Sequence, residues 1–433
     1  MKILKFGGSS VESNTQMLNV FDIVKNTYGK KVVILSACKG ITDKLEQVAI
    51  LSANKNTIIF NEEKDNIITS IEEHHIGILN STLQKYLSVA LDLVKKILSD
   101  LQNILAGVSY LNELTNSTKD LVLSFGELLS TTIFHFICKE NGLDNTLLDA
   151  RDLIYTDDNF NEASPIISLC KDNIIREFKK IKTDLVITQG FIGSYNETQR
   201  KTTTLGRGGS DYSAAIIGSI LNAEEIQIWT DVNGILSADP RYYSDTFTIK
   251  EMSFSEVSDL SFWGAKVLHP KTIQPAIEKD ISIKILNTFN PTNTGTIITS
   301  NCLKNNSMIN SVIAKENCLL YFGDKTNINP SNILYSGFSN KTSVYLLDNK
   351  DIVNLDNSFP CDVICICGSN LENSSILFTK FFPKLNFLED INILQIIFGF
   401  SFNSILLVLK KCDDIHKITS QIHDIIRKLY YSS

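Results

Sequence analysis

From residue 1 to about residue 290, short β-rich runs alternate with stretches of helical periodicity, and this alternation limits the fold more than any other feature. Residues 3–6 read as a short strand. Residues 13–25 read as a helix, with Met17, Val20, Phe21 and Val24 at helical spacing. Residues 31–36 (KVVILS) form a continuous apolar run, as expected of a strand covered on both faces, and residues 185–188 and 226–230 repeat it. Residues 42–119 read as largely helical, with apolar side chains at i, i+3 and i+4 from Leu87 to Leu105. Such an order predicts an α/β unit whose mostly parallel sheet is sandwiched by helices. Ligands of such sheets bind outside the C-terminal strand ends, so the loops there are where chemistry is expected.

Near residues 290–307 the composition shifts to Asn, Thr, Ser and Gly (NPTNTGTIITSNCLKNNS), which places a linker at about 301–307. Beyond it the pattern changes. Residues 361–368 read as a strand, 369–385 as a helix, 392–399 and 404–409 as two strands, and 413–429 as a closing helix. That βαββα order is a small α+β module of the ferredoxin-like kind. The expected division is therefore 1–300 and 307–433, the second part comprising a short module (307–360) and a full one (361–433).

The chain has 41 basic and 48 acidic residues, net −7, which argues against a general nucleic-acid binder while leaving phosphate ligands open. Nine cysteines, an odd number set mostly among apolar neighbours, suit a reducing cytoplasm. The N-terminal MKILKFGGSS lacks the apolar core of a signal peptide. Residues 391–409 are greasy but interrupted by Asn392, Gln395, Ser401, Asn403 and Ser404, so no membrane association is expected.

Several loops carry chemistry. Lys5-Phe6-Gly7-Gly8-Ser9-Ser10 follows a strand and precedes a helix; paired glycines let backbone N–H groups approach a phosphate, although Gly-Gly-Ser alone is also an ordinary turn. Leu205-Gly206-Arg207-Gly208-Gly209-Ser210-Asp211 sets three glycines around an arginine whose planar fork suits a carboxylate, with Asp211 placed to face an ammonium group. The alternative is a flexible loop with a surface ion pair; the apolar helix pattern that follows at once disfavours it. Trp229-Thr230-Asp231-Val232-Asn233-Gly234 ends a buried strand, where a carboxylate serves either ribose hydroxyls or an Asx turn. Asp239-Pro240-Arg241 and Gly264-Ala265-Lys266-Val267-Leu268-His269-Pro270 supply further cations. Glu127 sits in the helical stretch 118–140, well off the apolar stripe of Leu121, Phe125, Leu128, Ile133 and Phe136, so periodicity alone makes it an exposed helix glutamate.

Taken together, the strings KFGGSS, VVILSACKGIT, SFGELLS, TTTLGRGGSDYSAA, WTDVNGILSADPR and WGAKVLHP resemble the aspartate kinases of the amino-acid kinase family. The resemblance covers the first 290 residues and is closest to the single-function, lysine-sensitive type. The tail IIFGFSFNSILLVL with its final helix looks like the second ACT module of those enzymes. The resemblance implies transfer of the ATP γ-phosphoryl group to the β-carboxylate of L-aspartate, with Mg²⁺ arriving on the nucleotide rather than in a protein cage. By the same resemblance, Lys5, Phe6, Gly7, Gly8 and Ser9 line the phosphates, and Thr230, Asp231, Leu236, Arg241, Lys266 and Val267 hold the nucleotide. Ser36, Ala37, Thr42, Glu127, Arg207, Gly208, Gly209, Ser210 and Asp211 surround aspartate, and Lys5, Lys266 and Asp211 act in catalysis. A homodimer is the expected assembly.

Two departures from the pattern stand out. Leu236 replaces a tyrosine near the nucleotide. In the first module, residues 311–322 read as a strand, 323–332 (GDKTNINPSN) as a turn too short for the family's long helix, and 333–347 as a hairpin. Because that helix start belongs to the family's effector site, weak or absent lysine inhibition is expected. Cys361, Cys365 and Cys367 read as buried thiols rather than zinc ligands. His74-His75 reads as part of an exposed helix face, and His269 as a structural group. Another amino-acid kinase and a non-catalytic amino-acid-binding subunit are the competing readings; length argues against a fused homoserine dehydrogenase.

Overall fold

The computed structural model describes residues 1–54, 58–196, 198, 200–265, 268, 270–300, 302, 309–324, 328–339, 342–348, 355–369, 371, 377–389, 391–398, 403–411 and 414–432. The chain divides into two compact units, Met1–Gly234 with Leu268–Ser300, and Ile235–Val267 with Asn301–Ser433.

The first unit is built on a sheet of order Thr146–Leu148, Leu185–Gln189, Lys31–Leu35, Lys2–Phe6, Glu225–Thr230, Ser282–Asn287 and Thr296–Thr299. All neighbours run parallel except the last pair. Lys31–Leu35 and Leu185–Gln189 are buried at every position, as their unbroken apolar character requires. From Lys2–Phe6 the chain first adds Lys31–Leu35 on one side and later Glu225–Thr230 on the other. The loop after Lys2–Phe6 therefore lies at a topological switch point, where a crevice opens. A two-stranded antiparallel ribbon, Ile192–Tyr195 with Lys201–Thr204, extends from the end of Leu185–Gln189.

The helices Ile41–Ala53, Ile58–Thr82 and Leu87–Leu111 account for the helical middle. They pack with Asn116–Glu140, which is buried almost all round. By length and composition that helix could cross a membrane, yet 83% of its apolar window is buried inside the fold. The expectation of an exposed His74-His75 face is corrected: His75 is fully buried, with Nδ1 2.7 Å from the Ile71 carbonyl, because Ile71 and Leu79 on the same stripe enter the core.

The second unit holds a six-stranded antiparallel sheet of order Ile333–Ser339, Thr342–Asp348, Ile309–Phe322, Ser358–Gly368, Ser404–Lys410 and Ile393–Phe398. The helix Ile415–Ser432 closes the module. Of the helix expected over 369–385, residues 370 and 372–376 lie outside the described residues, and 377–384 are not a regular α-helix. They form a π-turn, Leu377–Phe381, and the 3₁₀ turn Phe382–Lys384, with a further 3₁₀ turn, Asn386–Leu388, beyond the expected end; Pro383 cannot donate to a continuing α-ladder. Cys361, Cys365 and Cys367 are buried and unbridged.

A contiguous 1–300 unit was expected, yet residues 235–267 cluster with the C-terminal region. Their polar groups explain it. Ser237 accepts from Val312 N through its carbonyl (2.9 Å) and bonds His423 Nε2 through its hydroxyl (2.8 Å). Glu256 Oε1 accepts from Asn310 Nδ2 (2.9 Å), and Phe247 packs on Tyr430 with ring centroids 4.3 Å apart. Hydrogen bonds buried at such a seam are costly to leave unmade.

Candidate active site

The C-terminal ends of the central strands gather the loops that carry the sequence motifs. After Phe6 the chain turns through a short 3₁₀ helix, Gly8–Ser10, held by Gly7 N donating to Trp229 O (3.1 Å). Ser10 Oγ and Thr288 Oγ1 bond at 2.7 Å. Glycine at position 8 is required by close approach, since a Cβ there would lie 2.9 Å from the Ala37 carbonyl. The two loops following Lys2–Phe6 and Lys31–Leu35 thus meet backbone to backbone, and Lys39 N donates to Gly8 O (3.2 Å).

Beside this junction lies a cavity of about 300 Å³. Lys5, Ser36, Thr42, Glu127, Phe191, Ser210 and Asp211 line it, with Gly206, Gly208 and Gly209 forming one wall. Two of these lining segments are first turns of helices, at Thr42 in Ile41–Ala53 and at Gly209–Asp211 in Gly209–Ile220. Helix starts carry partial positive charge and suit an anion.

Lys5 Nζ pairs with Asp211 Oδ1 at 2.7 Å, and both side chains are largely shielded. A Cβ built on Gly7 would sit 3.7 Å from Lys5 Nζ, so the ammonium overhangs the glycine loop. Sequence placed Asp211 near a substrate ammonium; the fold also gives it the loop lysine.

Glu127 departs furthest from its sequence expectation. It is 3% exposed rather than on an outer face, because Asn116–Glu140 is covered by helices on one side and sheet on the other. Gly126 allows the close approach: a Cβ there would meet Ala37 Cβ at 2.6 Å. Glu127 Oε1 accepts from Ala37 N (3.0 Å), while Oε2 is buried without a hydrogen-bond partner among the described residues. Burial pushes its carboxyl up to about 8, only partly offset by the Ala37 N–H. Ser36 Oγ donates to Ser210 Oγ (2.9 Å), and Ser130 Oγ donates to Ser36 O (2.8 Å), fixing this floor to the helix.

Arg207 lies in the turn between Gly206 and Gly208, both at positive φ. Its guanidinium is exposed and forms no hydrogen bond or ion pair with the described residues. The remaining expected residues lie elsewhere. Thr230 and Asp231 sit at the end of Glu225–Thr230, with Thr230 Oγ1 donating to Asp231 Oδ1 (3.2 Å). Leu236 and Arg241 belong to the second unit, where Arg241 forks onto Asp239 through Nε (3.0 Å to Oδ1). Lys266, Val267 and His269 lie outside the described residues.

Sequence reading missed Phe191. It lines the cavity at φ 68°, a conformation rare for a bulky residue, held by its N–H donating to Ser213 Oγ (3.1 Å) and its carbonyl accepting from Leu205 N (2.9 Å). No residue-type signal marks it; only its place after Gly190, whose missing Cβ would collide with Ser210, hints at a crowded turn.

Residues 1–287 match the amino acid kinase family. The chain belongs to the amino acid kinase family. Among its relatives, lysine-sensitive aspartokinase 3 of Escherichia coli is 37% identical over 297 residues, covering 68% of this chain and 63% of the relative. Chloroplastic aspartokinase 2 of Arabidopsis thaliana is 33% identical over 326 residues, 73% of this chain and 57% of the relative. The matched stretches thus span less than two thirds of these curated relatives. Among solved structures, E. coli aspartokinase III in complex with aspartate and ADP superposes with a TM-score of 0.78 at 26% identity, covering 98% of this chain and 99% of that one. The family's mostly parallel sheet between helices is the architecture of the first unit, and the antiparallel C-terminal sheet is of the ACT type.

Proposed function

We propose that this chain is an aspartate kinase, transferring the γ-phosphoryl group of ATP to the β-carboxylate of L-aspartate to give 4-phospho-L-aspartate. The product is the activated acyl phosphate from which lysine, threonine and methionine skeletons are made. One observation carries the reading: Glu127 Oε2, buried with no hydrogen-bond partner among the described residues, shares a cavity with the Lys5–Asp211 pair and with the loop that holds Arg207. Such a cavity offers an acceptor for an α-ammonium group, a fork for an α-carboxylate and a cation for a phosphoryl group.

The chemistry needs little beyond this. A substrate β-carboxylate, with a pKa of about 3.9, is ionised at neutral pH and needs no general base. One of its oxygens attacks the γ-phosphorus, the bond from that phosphorus to the bridging oxygen breaks, and ADP leaves with the electron pair. The obstacle is bringing two anions together, so positioning and charge neutralisation dominate. Lys5 lies over the Gly7–Gly8 turn, where the γ-phosphoryl group would rest, and Asp211 holds it there. Gly8 and Ser9 offer the phosphates backbone N–H groups, that of Gly7 being taken by Trp229 O, and Thr230 and Asp231 take the nucleotide at the neighbouring strand end. At Gly7 a Cβ would have no neighbour nearer than 3.7 Å, Lys5 Nζ among them, so the space beneath the ammonium fits a phosphate chain, and Mg²⁺ bound to that chain would neutralise its charge, with phosphate oxygens and water as ligands. In this reading Arg207 clamps the α-carboxylate, and Glu127 and Asp211 meet the ammonium. The protein works in the cytoplasm as a homodimer.

The test is ATP- and Mg²⁺-dependent acyl phosphate formation, trapped as the hydroxamate, with L-aspartate beside L-glutamate. Turnover with aspartate alone is expected. Turnover with glutamate alone would assign another amino-acid kinase, and none with either would leave a binding protein.

A further inference from the structure

We infer that Asp120 is a positioning residue for the recognition of the substrate's α-carboxylate, acting through the glycine loop that carries Arg207. The inference rests on the aspartate kinase reading and adds a residue that touches no substrate.

Asp120 is fully buried on the Asn116–Glu140 helix, two turns before Glu127, a rise of about 10.5 Å. Its carboxylate gathers three donors. Oδ1 accepts from Thr204 Oγ1 (2.8 Å), and Oδ2 accepts from Thr204 N (2.9 Å) and Asn161 N (3.0 Å). Thr204 is the last residue of the strand Lys201–Thr204, immediately before the glycine loop. Asn161 flanks the same loop at φ 74°, and its carbonyl oxygen lies 3.2 Å from where a Cβ on Gly206 would sit. One side chain therefore fixes both the base and the flank of the Arg207 turn. The loop closes on itself by Gly209 N donating to Gly206 O (3.0 Å) and is tied to Phe191 O through Leu205 N (2.9 Å).

The helix is anchored independently of Asp120. Ser130 Oγ donates to Ser36 O (2.8 Å), and Gln189 Nε2 donates to Thr131 Oγ1 (2.8 Å). A single rigid element thus carries Glu127 at one point and, through Asp120, the Arg207 turn at another. It acts as a ruler that sets the spacing between the ammonium reader and the carboxylate reader. Recognition of a carboxylate by a fork is steep in geometry, so slackening one end should appear in substrate binding rather than in phosphoryl transfer.

The experiment compares Asp120→Ala, Asp120→Asn and Thr204→Val with wild type in aspartate KM, ATP KM, kcat and amide hydrogen exchange. For Asp120→Ala the aspartate KM is expected to rise about tenfold or more while ATP KM and kcat stay within about threefold, since buried donors lose their acceptor. Exchange should quicken at residues 204–209 and 161 and not at 127–137. Asp120→Asn should restore most of the KM, because its Oδ1 can accept both backbone N–H groups while the Thr204 hydroxyl turns to accept from Nδ2. An unchanged aspartate KM, an equal rise in ATP KM, or unchanged exchange in the loop overturns the inference. Should the alanine variant fail to fold, Thr204→Val keeps the test: it removes one donor, and no change in either KM or loop exchange refutes the assignment. Should wild type fail to phosphorylate aspartate, the functional reading falls, and loop exchange alone still judges Asp120.

Discussion

Lys5 Nζ and Asp211 Oδ1 lie 2.7 Å apart, joining the end of the first strand to the first turn of a distant helix. The pair holds a cation above the glycine turn without a surface side chain's freedom. Lys5→Ala should lower kcat by about 10²–10³, the loss typical of removing one group that stabilises transition-state charge, with aspartate KM less affected. Steady-state kinetics on the purified variant checks the split. A loss confined to KM would mean that Lys5 binds substrate rather than neutralising the transferring group.

Glu127 supplies a pH prediction. Burial pushes its carboxyl up to about 8, so at pH 7 it is mostly protonated. Meeting an ammonium group favours the charged form, so aspartate binding must expel a proton below that pH. Aspartate affinity should therefore strengthen as pH rises from 6 to 8, by up to about tenfold per unit, and level off above. Glu127→Gln should flatten this profile at weaker affinity. Measuring aspartate KM across pH 6–9 for both proteins, with saturating ATP, decides it.

Stability carries the signature of a different buried group. Burial lowers the His75 imidazole to about 4, and its Nε2 has no partner among the described residues. An unfolded histidine titrates near 6.5, so the unfolded chain binds the extra proton first. Stability should fall as pH drops from about 6.5 toward 4, then flatten. Glu127 acts with the opposite sign: its raised carboxyl favours the folded state at low pH and loses that contribution as pH rises from about 4.5 to 8. The informative quantity is consequently the difference between His75→Leu and wild type in melting temperature against pH. It should narrow or reverse in favour of the variant below pH 6; parallel curves would show that His75 is not the buried base described.

How far the molecule was legible in the sequence follows from what kind of signal each part leaves. Continuous apolar runs marked Lys31–Leu35 and Leu185–Gln189 because both sheet faces are covered. Glycines at 8, 206, 208 and 209 flagged the loops because close approach or a positive φ demands them. Glu127 was misread by periodicity, since a helix buried all round has no outer face to assign. Asp120 and Phe191 left no pattern at all; one acts through tertiary hydrogen bonds and the other through a left-handed backbone. Residues 235–267 read as part of the first unit because their partners, His423, Asn310 and Tyr430, lie far along the chain.

Regulation supplies the last prediction. Between the strand Ile309–Phe322 and the strand beginning at Ile333 only residues 323–332 intervene, and their described part includes the 3₁₀ turn Pro330–Asn332. Ten residues with a proline near the end hold no long helix, and among the described residues of 309–433 Ile415–Ser432 is the one regular α-helix. A helix start is what supplies free N–H groups and partial positive charge to an amino-acid carboxylate. Without it in the first module, L-lysine loses that anchor, and the chain should keep most of its activity at millimolar lysine with no sigmoidal response. Initial rates against lysine concentration, at aspartate near its KM, test this directly. Strong cooperative inhibition would place an effector site on another part of the ACT-type sheet.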